Sequence, residues 1–238
     1  AGLSCKNIQL SYYTFVSCWT DSEEESIPLW KMYAGKEMHG IRISLDSDMF
    51  LKYHIPSGRF YGVDVYSKNE KSSILPIEKI VTKDYLVVPS FNDSEMFFKK
   101  VLYVDNPFSE MRDVVQIQDM GNGEGAMKMN LKKIGLYKRK CWAFQKEHRF
   151  TLTILPNIWG DIDINQMPKR IMQAVYDRIP PKLSFFDLEI NPELLSKMKI
   201  TLSPICSEAE KVIVESIVQK FAPKAIIRES MLKGLINR

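Results

Sequence analysis

The chain has 238 residues, 45% of them apolar and 26% charged, with a formal net charge of +4. These are the proportions of a globular protein long enough to bury a sizeable core without covalent staples. Four cysteines, at 5, 18, 141 and 206, form no short-spaced pair, which argues against a disulfide framework or a zinc knuckle and fits a reducing compartment; with no run as long as a membrane span and no secretory signal, a cytoplasmic location is expected.

Residues 8–18 are rich in β-branched and aromatic types and predict one or two strands. An acidic turn, Asp21-Ser-Glu-Glu-Glu25, follows. Ser26 to Gly35 predicts a short helix, with Ser26 as N-cap, Pro28 in the first turn and Gly35 as the stop. Trp30 and Tyr33, three apart, are expected on one face. Residues 40–45 alternate as a strand, and 59–66, 84–90 and 99–105 add further strand candidates. Gly121-Asn-Gly-Glu-Gly125 reads as a flexible loop without the context of a phosphate loop. Residues 147–155 alternate strongly and predict a strand that starts at Glu147. Beyond it come a helix over 165–178, a strand over 185–190, a short helix from Asn191 and a strand over 199–202. The spacing Ser207-Glu-Ala-Glu210 predicts a capping box opening a helix to about Phe221, with Val212, Ile213, Ile217 and Phe221 as its apolar face. Residues 225–227 close the series. The expected architecture is α+β: a mixed, mainly antiparallel sheet from 1–155, with an α/β portion from 156–238 packed on it as one compact unit.

Charge is distributed unevenly. Eight Lys or Arg lie between Lys128 and Arg149 against one acid, Glu147, which suits a phosphate-bearing partner or a solvated face. Within this stretch, residues 138–149 read Lys-Arg-Lys-Cys-Trp-Ala-Phe-Gln-Lys-Glu-His-Arg. Cys18 and Cys141, each beside a Trp, read as buried apolar thiols. His39, His54 and His148 show no ligand spacing, and no metal site is expected.

Cys18-Trp-Thr, Glu25-Ser26, Trp30-x-x-Tyr33-Ala34 and Gly40-Ile-Arg-Ile43 resemble the first block of the bacterial domain-of-unknown-function 2971 family. Lys138, Trp142, Gln145, Glu147 and Arg149 resemble its second block, Lys then Trp-x-x-Glu-x-Glu-x-Arg, with Gln145 replacing the first Glu. Gln145-Lys146-Glu147 at a strand start is also similar to the Glu/Gln-x-Glu of the ADP-ribosyltransferase superfamily. That likeness implies an enzyme using NAD as substrate, a bacterial toxin or phage-defence effector. Glu147 would be the catalytic carboxylate, stabilising positive charge on the ribose as nicotinamide leaves, and Gln145 would orient the acceptor. Strand alternation is expected to turn residues 145 and 147 to the same side. Trp142, Trp30 and Tyr33 would shape the pocket, Ser17 would supply a hydroxyl to the ribose, and Arg149 or Lys138 would meet the diphosphate.

Two other readings stay open. The basic stretch 128–149, interleaved with Tyr137, Trp142 and Phe144, suits nucleic-acid binding or cleavage. Alternatively the chain is a non-catalytic interaction module in which Glu147 pairs with a nearby Lys or Arg. A cleft open over residues 145 and 147 would suit the transferase, a basic groove with exposed aromatics the nucleic-acid reading, and an enclosed Glu147–Arg149 pair the module.

Overall fold

A computed structural model of the chain describes residues 8–60, 63–65, 72–121, 124–157 and 167–236. The fold is α+β with mostly antiparallel small sheets. It divides into two compact units, the first of residues 1–21 and 53–187, the second of 22–52 and 188–238. The division therefore does not fall at 155/156. The segment 22–52, with Trp30 and Tyr33, belongs with the C-terminal residues.

The first unit is organised by the strand Glu147–Pro156. It pairs antiparallel with Thr14–Thr20 along one edge and with Phe98–Lys100 and Tyr85–Val87 along the other. Its two faces differ. Phe150, Leu152 and Ile154 are buried on one, where the Phe150 ring lies 5.2 Å from Phe97 and 4.6 Å from Phe98. The other carries Glu147, Arg149, Thr151 and Thr153 and reaches the apolar core again at Leu155, which packs with Tyr13 and Val175. A parallel pair, Leu102–Val104 with Tyr137–Arg139, supports the start of this strand, where Val101 and Tyr103 hydrogen-bond the Glu147 backbone.

Residues 8–18 are not all strand: a 3-10 turn, Leu10–Tyr13, precedes Thr14–Thr20. Buried Tyr13 donates its hydroxyl to the Ala174 carbonyl at 3.4 Å in the helix Met167–Tyr176. Part of the expected loop 121–125 belongs to a hairpin, Val115–Gly121 with Glu124–Met129, and residues 122–123 lie outside the described residues.

In the second unit, Lys199–Leu202 lies between Ile226–Arg228, parallel, and Ile41–Ser44, antiparallel. The helix Glu208–Phe221 makes the crossover between the parallel pair. Its capping box forms as expected: Ser207 Oγ accepts from the Glu210 amide at 3.3 Å and Glu210 Oε2 from the Ser207 amide at 2.8 Å. The expected inward face is not the inward face, however. Val218 is buried and Val214 half-buried, whereas Val212, Ile213, Ile217 and Phe221 are exposed. Lys211, on the same side as Val214 and Val218, pairs with Glu229 at 3.0 Å and helps set that rotation.

The helix Ile27–Tyr33 is stopped at Gly35, whose φ of 78° favours glycine. Trp30 is buried and Tyr33 exposed, so the two do not share an environment. Residues 185–189 are not a strand. They follow Pro180-Pro181, and only Ile190 forms an isolated bridge, with Phe50. Among the described residues no helix is long and apolar enough to cross a membrane.

Candidate functional site

The stretch 138–149 builds three local structures in succession. Tyr137–Arg139 is a strand, Lys140–Gln145 a 3-10 helix, and Glu147 opens the long strand. The helix was not legible in the alternating Trp-Ala-Phe-Gln pattern. It ends at Lys146, whose φ of 44° and ψ of 50° are left-handed. This single turn, rather than strand alternation, brings the Gln145 and Glu147 side chains together.

Both side chains meet Lys138. Its ammonium donates to Gln145 Oε1 and, at 2.7 Å, to Glu147 Oε2. Arg149 Nε donates to Glu147 Oε1 at 2.6 Å, and its Nη1 to the Gly135 carbonyl at 2.8 Å. Gly135 has φ 72°, a conformation open to glycine that aims its carbonyl at the guanidinium. The Glu147 amide donates to Tyr103 Oη at 2.8 Å, and its carbonyl accepts from the Val101 amide at 2.9 Å.

The Glu147 residue is only 3% exposed. Burial alone would raise its carboxyl. Hydrogen bonds from Arg149, Lys138 and Cys18 outweigh that and hold it at about 2. Glu147 is therefore a permanent carboxylate with a cation on each oxygen. Cys18, opposite Arg149 in the strand register, places its thiol against the carboxylate. Burial of the thiol end, then the bond to Glu147, push the thiol up, although the residue as a whole is exposed. Cys141 is exposed too; neither is the buried apolar thiol expected, because a strand edge and a surface turn carry them.

A further cation lies on the same sheet face as Arg149. Lys99, opposite Arg149 across the sheet, is buried and donates to the Leu131 and Ile134 carbonyls, each at 2.7 Å. Burial, with Arg149 nearby, lowers its ammonium to about 8. Lys99 and Arg149 together thus fasten the turn 131–136 through three carbonyls. Lys99 and Tyr103 escaped the sequence reading, and Cys18 reads there as a buried apolar thiol rather than as a partner of Glu147. For Lys99 a signal existed: Phe97, Lys99 and Val101 alternate inward, and all three are buried.

The outer side of the 3-10 helix is different. Trp142 and Phe144 are exposed, with ring centroids 6.1 Å apart and planes tilted 38°. The Lys138 ammonium lies 5.4 Å from the Trp142 ring centroid. Arg139, Lys140 and Lys146 are exposed around them. Lys140 pairs with Asp105 at 2.7 Å, a contact between two exposed side chains that holds neither firmly.

Of the residues expected at one pocket, Lys138, Gln145, Glu147 and Arg149 come together and Trp142 flanks them through Lys138. Ser17 does not join them. It pairs with Phe150 in register, which puts it on the opposite face of the sheet, where its hydroxyl accepts from Trp19 Nε1 at 2.9 Å. Trp30 and Tyr33 are in the second unit. There Glu25 accepts from Trp30 Nε1 at 2.9 Å, from Ser230 Oγ at 2.7 Å and from the Met231 amide at 2.7 Å, a fully engaged carboxylate that ties residues 25–30 to the C-terminal segment. No family model, no curated protein and no solved structure matches the chain.

Proposed function

We propose that the chain is a binding module for single-stranded nucleic acid, with Trp142 and Phe144 as its stacking platform. The observation that carries this reading is the exposed aromatic pair on a short helix among Arg139, Lys140 and Lys146. Bases stack on such rings whatever their identity, and the cations neutralise the backbone between them. The buried Lys138–Glu147–Arg149 cluster supports this in a structural role: it fixes both ends of the helix, and Lys138 reaches the Trp142 ring from beneath. The test is fluorescence anisotropy of a labelled single-stranded oligonucleotide at low salt. Trp142→Ala and Phe144→Ala should each weaken binding by about 1–3 kcal/mol with the melting temperature held. Absence of binding at low salt, or indifference to both substitutions, would remove the reading.

One observation favours the NAD-using transferase as a second reading. The Gln145 carboxamide and Glu147 carboxylate meet at one ammonium, the side-by-side arrangement an ADP-ribosyl transfer site would use. Its charge, however, is already matched by two cations in an enclosed position, so a ribose would have to displace one of them. Nicotinamide release from NAD by the native chain, abolished in Glu147→Gln, would favour this reading over the first.

A further inference from the structure

A third exposed aromatic ring stands beside the basic stretch, although it lies well before it in the chain. Phe108, 76% exposed, is carried by the short helix Pro107–Glu110. Pro107 sets the first turn and Asn106 Oδ1 accepts from the Phe108 amide at 3.1 Å, so the ring projects from a fixed backbone. The helix packs on the strand Tyr137–Arg139. Basic residues meet it at both ends: the Lys140 ammonium donates to Asp105 Oδ2 at 2.7 Å, and the Lys133 ammonium to the Glu110 carbonyl at 3.2 Å.

The strand Tyr137–Arg139 separates this helix from the one that bears Trp142. Lys138 and Tyr103, partners in the parallel register, both turn to Glu147. Alternation therefore turns Tyr137, Arg139 and Leu102 away from the buried cluster, and Leu102 is 48% exposed. The 3-10 helix Lys140–Gln145 packs on the neighbouring strand Leu102–Val104. An apolar and cationic surface thus continues from Trp142 and Phe144, past Leu102 and Arg139, to Phe108. That continuity sets Phe108 apart from a scattered surface residue.

We propose that Phe108 is a further stacking residue of the single-strand site, so that one strand of nucleic acid runs from Trp142 and Phe144 past Arg139 to Phe108. This rests on the nucleic-acid reading above and adds the extent of the ligand to it. The intervening strand has three residues and is about 10 Å long, or about three steps of roughly 3.4 Å along a stacked strand. A ligand reaching both ends has about four nucleotides or more. Asp105 and Glu110 flank Phe108 in the chain, so its ring meets a base and not a phosphate. The phosphates in between are met by Arg139 and by Lys133, whose bond to a carbonyl leaves its charge in place.

Anisotropy of labelled oligothymidylates with the whole chain at low salt tests this. For a dodecamer, Phe108→Ala should weaken binding by about tenfold, and Phe108→Trp should bind as the native chain does. The salt slope should not change, because no phosphate contact is lost. For a trimer, too short to span the strand, Trp142→Ala should weaken binding and Phe108→Ala should leave it unchanged. Phe108 is exposed, so an unaltered melting temperature should report an intact fold. A dodecamer that responds to Trp142→Ala but ignores Phe108→Ala would overturn the inference and leave the Trp142 platform standing. Equal losses in Phe108→Ala and Phe108→Trp would overturn it too, and a native chain that binds no single strand would remove both readings.

Discussion

Replacing Glu147 by Gln isolates the charge of the buried cluster. The side chain keeps its shape and one carbonyl acceptor, but its new amide presents a donor to a cation. Of the two ion pairs, to Arg149 at 2.6 Å and Lys138 at 2.7 Å, at most one hydrogen bond survives. A carboxyl held at about 2 instead of 4.5 has its charged form favoured by about 3 kcal/mol. Loss of one partner from a buried pair costs about 3–5 kcal/mol, so the two routes agree near 3. The folded-state value lies below the unfolded one, so this contribution is complete above 4.5 and disappears as pH falls through about 2. Hydrogen exchange of amides in the strand 147–156, which reports the first unit by itself, should show Glu147→Gln less stable by about 3 kcal/mol at neutral pH. The gap should close as pH drops below 4.5. A gap that is absent at neutral pH, or constant down to acid, would refute the reasoning.

Two further outcomes follow from neighbouring contacts. Glu147→Gln should speed alkylation of Cys18, measured by mass spectrometry, because the carboxylate that raises the thiol is gone while Arg149 and Lys138 remain; an unchanged or slower rate would mean the thiol does not feel Glu147. In the second unit, Ser207→Ala removes the cap from the Glu210 amide and should cost about 1 kcal/mol of that unit's stability, read by exchange of amides in the helix Glu208–Phe221.

Much of the architecture was legible because its signals are local. The capping box fixed the start of Glu208–Phe221, Gly35 marked the stop of Ile27–Tyr33, and the alternation from Glu147 located the central strand. What escaped depended on partners distant in the chain. The densest apolar stripe of a helix normally faces inward, yet here the side bearing Val214 and Val218 does, because the parallel strands on either side of the helix and the Lys211–Glu229 pair determine its rotation. Residues 185–189 have strand-like composition but no partner strand among the described residues. Cys18 reads as an apolar thiol until its register places it opposite Arg149. The division into units is likewise invisible locally: segment 22–52 joins the C-terminal residues through the pairing of Ile41–Ser44 with Lys199–Leu202 and through Glu25.

Lys138 is where the two functional readings part. Its ammonium is shared among the Gln145 carboxamide, the Glu147 carboxylate and the face of Trp142. Arg149 is tied by Glu147 on one side and the Gly135 carbonyl on the other and is the more enclosed of the two cations on Glu147, its side chain 15% exposed against 22% for Lys138, so Lys138 is the one that an incoming group reaches first. A substrate that needed the carboxylate would therefore have to displace Lys138, and in doing so would withdraw the cation beneath Trp142. Catalysis at Glu147 and an ordered aromatic platform thus compete for one ammonium. A ligand that stacks on Trp142 asks for no such exchange: it leaves every bond of the buried cluster in place and adds contacts on the exposed side. Stacking is the less costly of the two events, since breaking a buried ion pair carries a cost of several kcal/mol that a ligand on the outer surface avoids.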